Sequence, residues 1–288
     1  MELKDLYDSY CNKMAQLHLY QRAMQDIAIK ELEQLFKYEE TTKRFSDKEE
    51  LPLSSHKMTF RQAKDGKHFI FGFKANSLED SKLAVSMHKN KQYQWLLAEA
   101  YEEFKLVVER LYAYAGFKNN NLWALQDFGN ISFEELKDKE FDWYEKQAQK
   151  KKDVINKFRK LFPKIVTAET NNALKINLRL ATVLIENLRH IIVHKGGIVE
   201  DKSEFMKLVL DKSGLKNNGI LDKDNIALID RYFGSGRYEN TIMLMEVAME
   251  TKVPLNIYIN VFDHLTGYLM AYTQLIYDSL HLSINENK

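Results

Sequence analysis

Residues 3 to 45 contain neither glycine nor proline. A run of that length without a helix breaker leaves a long helix as the simplest fold for it. Leu6, Tyr10, Leu17, Met24, Ile27 and Leu35 recur near helical spacing along it, which predicts one helix over residues 3–45. The same economy holds throughout, with only 3 Pro and 11 Gly in 288 residues. The chain therefore reads as nearly all α. One stretch breaks the pattern: in "MTFRQAKDGKHFIFGFKA", Met58 to Ala75, aromatic and β-branched residues flank Asp65-Gly66. That is the pattern of a β-hairpin.

Helical periodicity returns from Ser81 to Phe117, through Val85, Trp95, Leu96, Phe104, Val107, Val108 and Leu111. The stretch "GFKNNN" supplies a stop. Ser132 with Glu135 three residues later forms a capping-box signature, predicting a helix that runs to about Phe162, where Pro163 breaks it. Further helices are expected over Thr167–His194, Lys202–Ser213, Asp222–Phe233 and Tyr238–Glu250. A last helix is expected from Pro254 to about Leu282. This reading divides the chain into a helix-and-hairpin extension, residues 1–80, and a helical domain, residues 81–288.

Composition narrows the function classes. With 42 basic and 41 acidic residues, the formal charge of +1 gives no global attraction to nucleic acid or membrane, though a local basic groove is compatible with it. Cys11 is the only cysteine, which excludes an internal disulfide and suggests a reducing compartment. The start "MELKDLYDSYCNK" is too polar for a signal peptide. No apolar run approaches the roughly 18 residues of a membrane span. A cytoplasmic protein without membrane contact is expected.

The most unusual stretch is "ENLRHIIVHKGGIVED", Glu186 to Asp201. On a helical wheel, Leu174, Leu178, Ala181, Ile185, Leu188 and Ile192 form a seam that Leu180, Leu184 and Ile191 widen to roughly 160°. The opposite arc carries Arg179, Thr182, Glu186, Arg189, His190 and His194. Gly196-Gly197 ends the helix there. One helix thus buries one side and presents a guanidinium, a carboxylate and two imidazoles on the other.

Three readings fit that arc. In the first, a histidine moves protons near neutral pH while the arginine holds a phosphate by paired hydrogen bonds. These suffice to cleave RNA, because RNA carries its own nucleophile, the 2′-hydroxyl. In the second, Glu186, His190 and His194, at i, i+4 and i+8, bind a metal, although no Glu follows the first His as in the metalloprotease motif. The third is a solvated helix end whose cations suit the dipole.

The segment "RHIIVH", Arg189 to His194, resembles the R-x4-6-H motif of the HEPN superfamily, in which the residue after the arginine is commonly Asn, Asp or His; here it is His190. The resemblance covers about residues 80 to 282. It implies a helical bundle that forms a homodimer, with the two motifs meeting as one composite site. It also implies a metal-independent endoribonuclease, needing no cofactor, that leaves a 2′,3′-cyclic phosphate and a 5′-hydroxyl. Arg189 would stabilise the phosphate, His194 would be the acid/base residue, and His190 with Glu186 would support them. Toxin–antitoxin and antiphage defence systems use such enzymes. The chain departs from one subgroup at Gly196, where toxins paired with a nucleotidyltransferase carry a Tyr. The alternative of another class is an inactive HEPN-like dimer that binds RNA or a partner protein.

Lys146 to Lys164 holds eight Lys or Arg and one acid. Lys150, Lys151 and Lys152, with Lys195 beside the motif, are candidate phosphate contacts, against the ordinary reading of a solvated helix face. Trp123, Trp143 and Tyr144 read as core rather than stacking platforms. A nuclease toxin needs restraint, so an inhibitor or trigger protein is expected, with the hairpin as its candidate contact.

Overall fold

The computed structural model describes residues 2–43, 54–215, 222–248 and 258–285. The fold is mainly α, with a hairpin, as the periodicity predicts. In chain order the elements are α1 (Leu3–Lys43), β1 (Ser54–Arg61), β2 (His68–Asn76) and α2 (Leu78–Lys118). Next come α3 (Leu125–Phe128), α4 (Phe133–Lys137), α5 (Phe141–Gln149), α6 (Val154–Leu161), α7 (Pro163–Thr170) and α8 (Leu178–Lys195). Then follow α9 (Lys202–Lys212), α10 (Lys223–Asp230), β3 (Val247–Ala248), β4 (Tyr258–Ile259) and α11 (Val261–Asn285). None of the described helices is long and apolar enough to cross a membrane.

Two compact units emerge, residues 1–19 with 93–288, and residues 20–92, a different division from one at residue 80. The reason lies in α1. Leu3, Leu6, Tyr10, Met14 and Leu17 are buried at helical spacing, so the first turns of the chain belong to the larger core. Tyr7 meets Tyr277 of α11 at 4.7 Å, and His18 Nδ1 lies 3.0 Å from Asp263.

In the smaller unit, β1 and β2 pair antiparallel, with a bulge between Lys57 and Met58. Gly66, at φ +70°, makes the turn, as Asp65-Gly66 predicts. Met58 faces Phe71 and Phe60 faces Phe69, which puts four apolar side chains on one face, each about half exposed. Lys82 bridges Glu39 and Glu79 at 2.8 Å each and lies over the Phe36 ring.

In the larger unit α8 is the central helix, packed against α7, α9 and α11. Leu178, Leu180, Ala181, Leu184, Ile185, Leu188, Ile191 and Ile192 are all buried. From α2, Tyr93, Leu97, Phe104, Val108 and Leu111 enter the same core. Trp123 stacks on Tyr112 and donates to its carbonyl at 2.7 Å, and Tyr144 is buried beside it.

Several expected boundaries move. The helix from Ser132 begins with its capping box intact, but it ends at Lys137, and the path to Phe162 is three helices rather than one. Asp153 adopts the left-handed region (φ 54°) to cap Asn156 N, which breaks the lysine-rich run despite its helical propensity. Pro163 opens α7 instead of merely ending a helix, since Phe162 before it (φ −126°, ψ 83°) lies outside the helical region. The helix expected over Thr167–His194 starts only at Leu178, with Asn177 capping Leu180 N at 3.0 Å. Ahead of it Asn172 donates to three carbonyls, of Ala168, Glu169 and Ile176, and holds a turn that leaves Leu174 exposed rather than on the seam.

Where a helix is expected over Tyr238–Glu250, the described residues hold only the end of a 3₁₀ turn, Gly236–Tyr238, then a turn, bridge residues and the short strand β3. Thr241 and Ile242 bridge to Ile198 and Phe233, and β3 pairs with β4, a second β element that periodicity does not reveal. Because β4 is extended, the last helix begins at Val261, capped by Asn260, and the expected start at Pro254 lies outside the described residues.

Candidate functional site

The exposed side of α8 ends in a short polar strip. Glu186, His190 and His194 are exposed and Arg189 is half-buried, while the other side of the helix is locked in the core. The helix stops where the two glycines predict. Gly196 (φ +65°) and Gly197 (φ +84°) are left-handed, and Gly197 N–H returns to Ile191 O at 3.1 Å. The loop is then tied down, as Ile242 N donates to Gly197 O and Val199 N to Asn240 O, each at 2.9 Å.

Gly197 is further constrained from α2. A Cβ there would stand 2.4 Å from the amide oxygen of Gln94, a buried side chain that donates to Ile242 O at 2.7 Å. Gly197→Ala combines a forbidden φ with that collision. It is expected to lower unfolding free energy by about 1–3 kcal/mol, read as an earlier urea midpoint at unchanged slope. Gly196→Ala, with open space at its Cβ, should cost less.

The predicted site residues come together in two groups. His190 and His194 meet with ring centroids 4.6 Å apart. Partial desolvation, then the neighbouring His194 and the charges of Arg189, Lys212 and Lys195, hold the His190 imidazole below its ordinary range. A neutral imidazole at pH 7 is a proton acceptor. Arg189 is engaged elsewhere: its Nη2 contacts Glu102 Oε1 of α2 at 2.5 Å. Its Nε is buried without a partner among the described residues, and no bond or ring contact there joins it to either histidine.

The metal reading meets a geometric obstacle. Glu186 and His194 are eight residues apart, about 12 Å along the axis, too far to share one ion from a straight helix. Among the described residues no group of three or more His, Cys, Asp or Glu could hold a metal.

The candidate phosphate contacts divide as well. Lys195 is paired with Glu200 at 2.7 Å. Lys151 is half-buried and reaches toward Asp127 at 3.8 Å. Lys150 and Lys152 stay exposed, and all three lysines of the run line a cleft that also takes in Glu186.

Two residues that the motif does not mark are part of the site. Asn187 is buried on α8, donates to Val183 O at 2.7 Å and accepts from Lys212 Nζ of α9 at 2.9 Å, fixing α9 beside the strip. Its place next to His194 on the wheel could have identified it. Glu102 had no such signal, because nothing local links α2 to Arg189. Glu102→Gln removes the carboxylate that occupies the guanidinium. Half-exposed ion pairs contribute only about 0–1 kcal/mol, so stability should hardly move. If RNA is the ligand, its affinity, read by anisotropy, should instead rise several-fold; a fall would mean that Glu102 positions Arg189.

Comparison with protein-family models, with curated proteins and with solved structures finds no match to this chain.

Proposed function

We propose that this protein is a metal-independent endoribonuclease of the HEPN type, with Arg189 and His194 at its centre. What supports the reading most is the exposed imidazole pair, 4.6 Å apart, at the end of a helix whose opposite side is rigidly packed. The 2′-oxygen of the substrate attacks the adjacent phosphorus as one histidine accepts its proton. The P–O5′ bond breaks and the departing 5′-oxygen takes up a proton. The products are a 2′,3′-cyclic phosphate and a 5′-hydroxyl. Arg189 neutralises charge on the phosphate once it leaves Glu102. Each chain carries one His194, so a homodimer supplies both an acid and a base. Cytoplasmic residence, a role in antiphage defence or as a toxin, and restraint by an inhibitor or trigger protein belong to the same reading.

The ion pair of Arg189 with Glu102 favours a second reading, a non-catalytic dimer that binds RNA or a partner protein with this helix end. Labelled mixed-sequence RNA, incubated in excess EDTA with wild type, Arg189→Ala and His194→Ala, separates the two. Cleavage to cyclic-phosphate ends by wild type alone is the expected result. A folded wild type that binds RNA and leaves it intact, with or without divalent ions, moves the protein to the second reading.

A further inference from the structure

A cleft of about 680 Å³ opens on the polar side of α8, ahead of the Arg189–His194 strip. One wall is α2, with Tyr101, Phe104 and Val108. The facing wall is the loop between α5 and α6, which carries Lys150 and Lys152, and the floor is α8 with Arg179 and Glu186. Resting on the nuclease reading above, we propose that this cleft is a binding site for single-stranded RNA, holding nucleotides of the strand next to the one that is cut.

The first argument is charge. The lining contains six lysines and arginines against three carboxylates, in a chain whose total charge is only +1. Two of the three carboxylates are occupied: Asp153 caps α6, and Glu109 faces Lys105 at 3.8 Å. Lys150, Lys152 and Arg179 have no ion-pair partner among the described residues. Gathering unpaired cations is unfavourable unless an anion joins them.

The second argument is rigidity. The loop is a built turn and presents its cations from fixed positions. The backbone N–H groups of Lys150 and Lys151 donate to Gln147 O and Ala148 O, at 3.2 and 2.9 Å. The Lys151 ammonium points to the buried Asp127, and Asp153 takes the left-handed conformation that starts α6.

The third argument concerns the apolar wall. Phe104 and Val108 are buried behind that wall, and the ring that reaches the cleft is the partly exposed Tyr101, on which an unstacked base can lie while the basic rim takes phosphates. A duplex hides its base faces and has no use for such a wall. The fourth argument is continuity. Glu186 lines the cleft one turn before His190, and Tyr101 precedes the Glu102 that holds Arg189. Arg179 to His194 spans about 22 Å of helix, a track for several nucleotides rather than one.

A free nucleotide shares the chemistry of base and phosphate, so the test separates it from a strand. Binding of a labelled single-stranded oligoribonucleotide is followed by anisotropy across a salt series, using the full-length His194→Ala protein to prevent cutting. Lys150→Glu with Lys152→Glu, and separately Arg179→Glu, are added to that background. These residues lie at the surface of the cleft, and thermal melting checks that each variant folds. The expected result is affinity at least tenfold weaker, with the salt slope reduced by about 0.7 for each lost phosphate contact. Matched duplex RNA and ATP should compete poorly. Unchanged affinity and slope in both variants overturn the proposal, and so does ATP competing as well as the strand, which would make the cleft a mononucleotide site. If wild type cuts RNA while the charge reversals bind like their parent, the cleft falls and the nuclease reading stands. If the strand binds through these lysines but wild type never cuts, the nuclease reading falls and the cleft stands.

Discussion

Alanine at His194 is expected to slow RNA cleavage by roughly 10²- to 10⁴-fold while leaving the protein folded. At about 1.4 kcal/mol per decade, that is about 3–6 kcal/mol of transition-state stabilisation. The structural cost is small because the imidazole is exposed and its ring neighbour among the described residues is His190, itself at the surface. Arg189→Ala should cause a loss of the same order, through the phosphate and not through proton transfer. The two single losses should not add, since both groups act on one step. Initial rates on a labelled oligonucleotide, with melting curves for each variant, check this. A His194→Ala protein that cuts within a factor of two of wild type removes His194 from the chemistry, and with it the dimer argument that needs one acid and one base.

Asp127→Ala is expected to be the most damaging substitution for stability, by about 3 kcal/mol or more. The carboxylate is buried between α3, α6 and α2. It accepts from Tyr112 Oη at 2.6 Å and from Lys157 Nζ at 2.7 Å, with Lys151 at 3.8 Å. Burial first, then Asp127, pushes the Tyr112 phenol well above its ordinary range, so it stays a donor and needs that acceptor. Without Asp127 the phenol loses its side-chain acceptor in a packed aromatic cluster, and the Lys157 ammonium is left over the Tyr112 ring, 5.7 Å from its centre. Urea denaturation should show the midpoint falling at constant slope. A loss under about 1 kcal/mol would mean that Lys157 swings into solvent and the network is slack.

Much of the frame was legible because its signals are local. Asp65-Gly66 marked the hairpin turn, Ser132 with Glu135 marked a helix start, and Gly196-Gly197 marked the end of α8, each within a few residues of where it acts. The apolar seam of α8 was legible from Leu178 onward for the same reason: a helix repeats its face every 3.6 residues whatever it packs against.

The misread segments are those in which local preference and final structure disagree. The run from Met243 to Glu246 has helix-forming residues, yet the chain there is not helical, because Thr241 and Ile242 complete the hydrogen bonding of the loop after Gly197. Lys150 to Asp153 could continue a helix, but burying Val154 and Phe158 requires a new start with Asp153 as cap. In the first place a backbone pairing from far along the chain, and in the second the burial of the next helix's own side chains, outweighs propensities of a few tenths of a kcal/mol per residue.

The sequence by itself determined the mainly helical frame, the amphipathic α8 and the placing of Arg189, His190 and His194 on its exposed side. Only the tertiary structure decided that Glu102 occupies the guanidinium, that Lys212 holds Asn187, and that Lys150, Lys152 and Arg179 converge on one cleft. The physical reason is range: periodicity, caps and turns are written into neighbouring residues, whereas a pairing between helices depends on packing angles and on which distant side chains share the core.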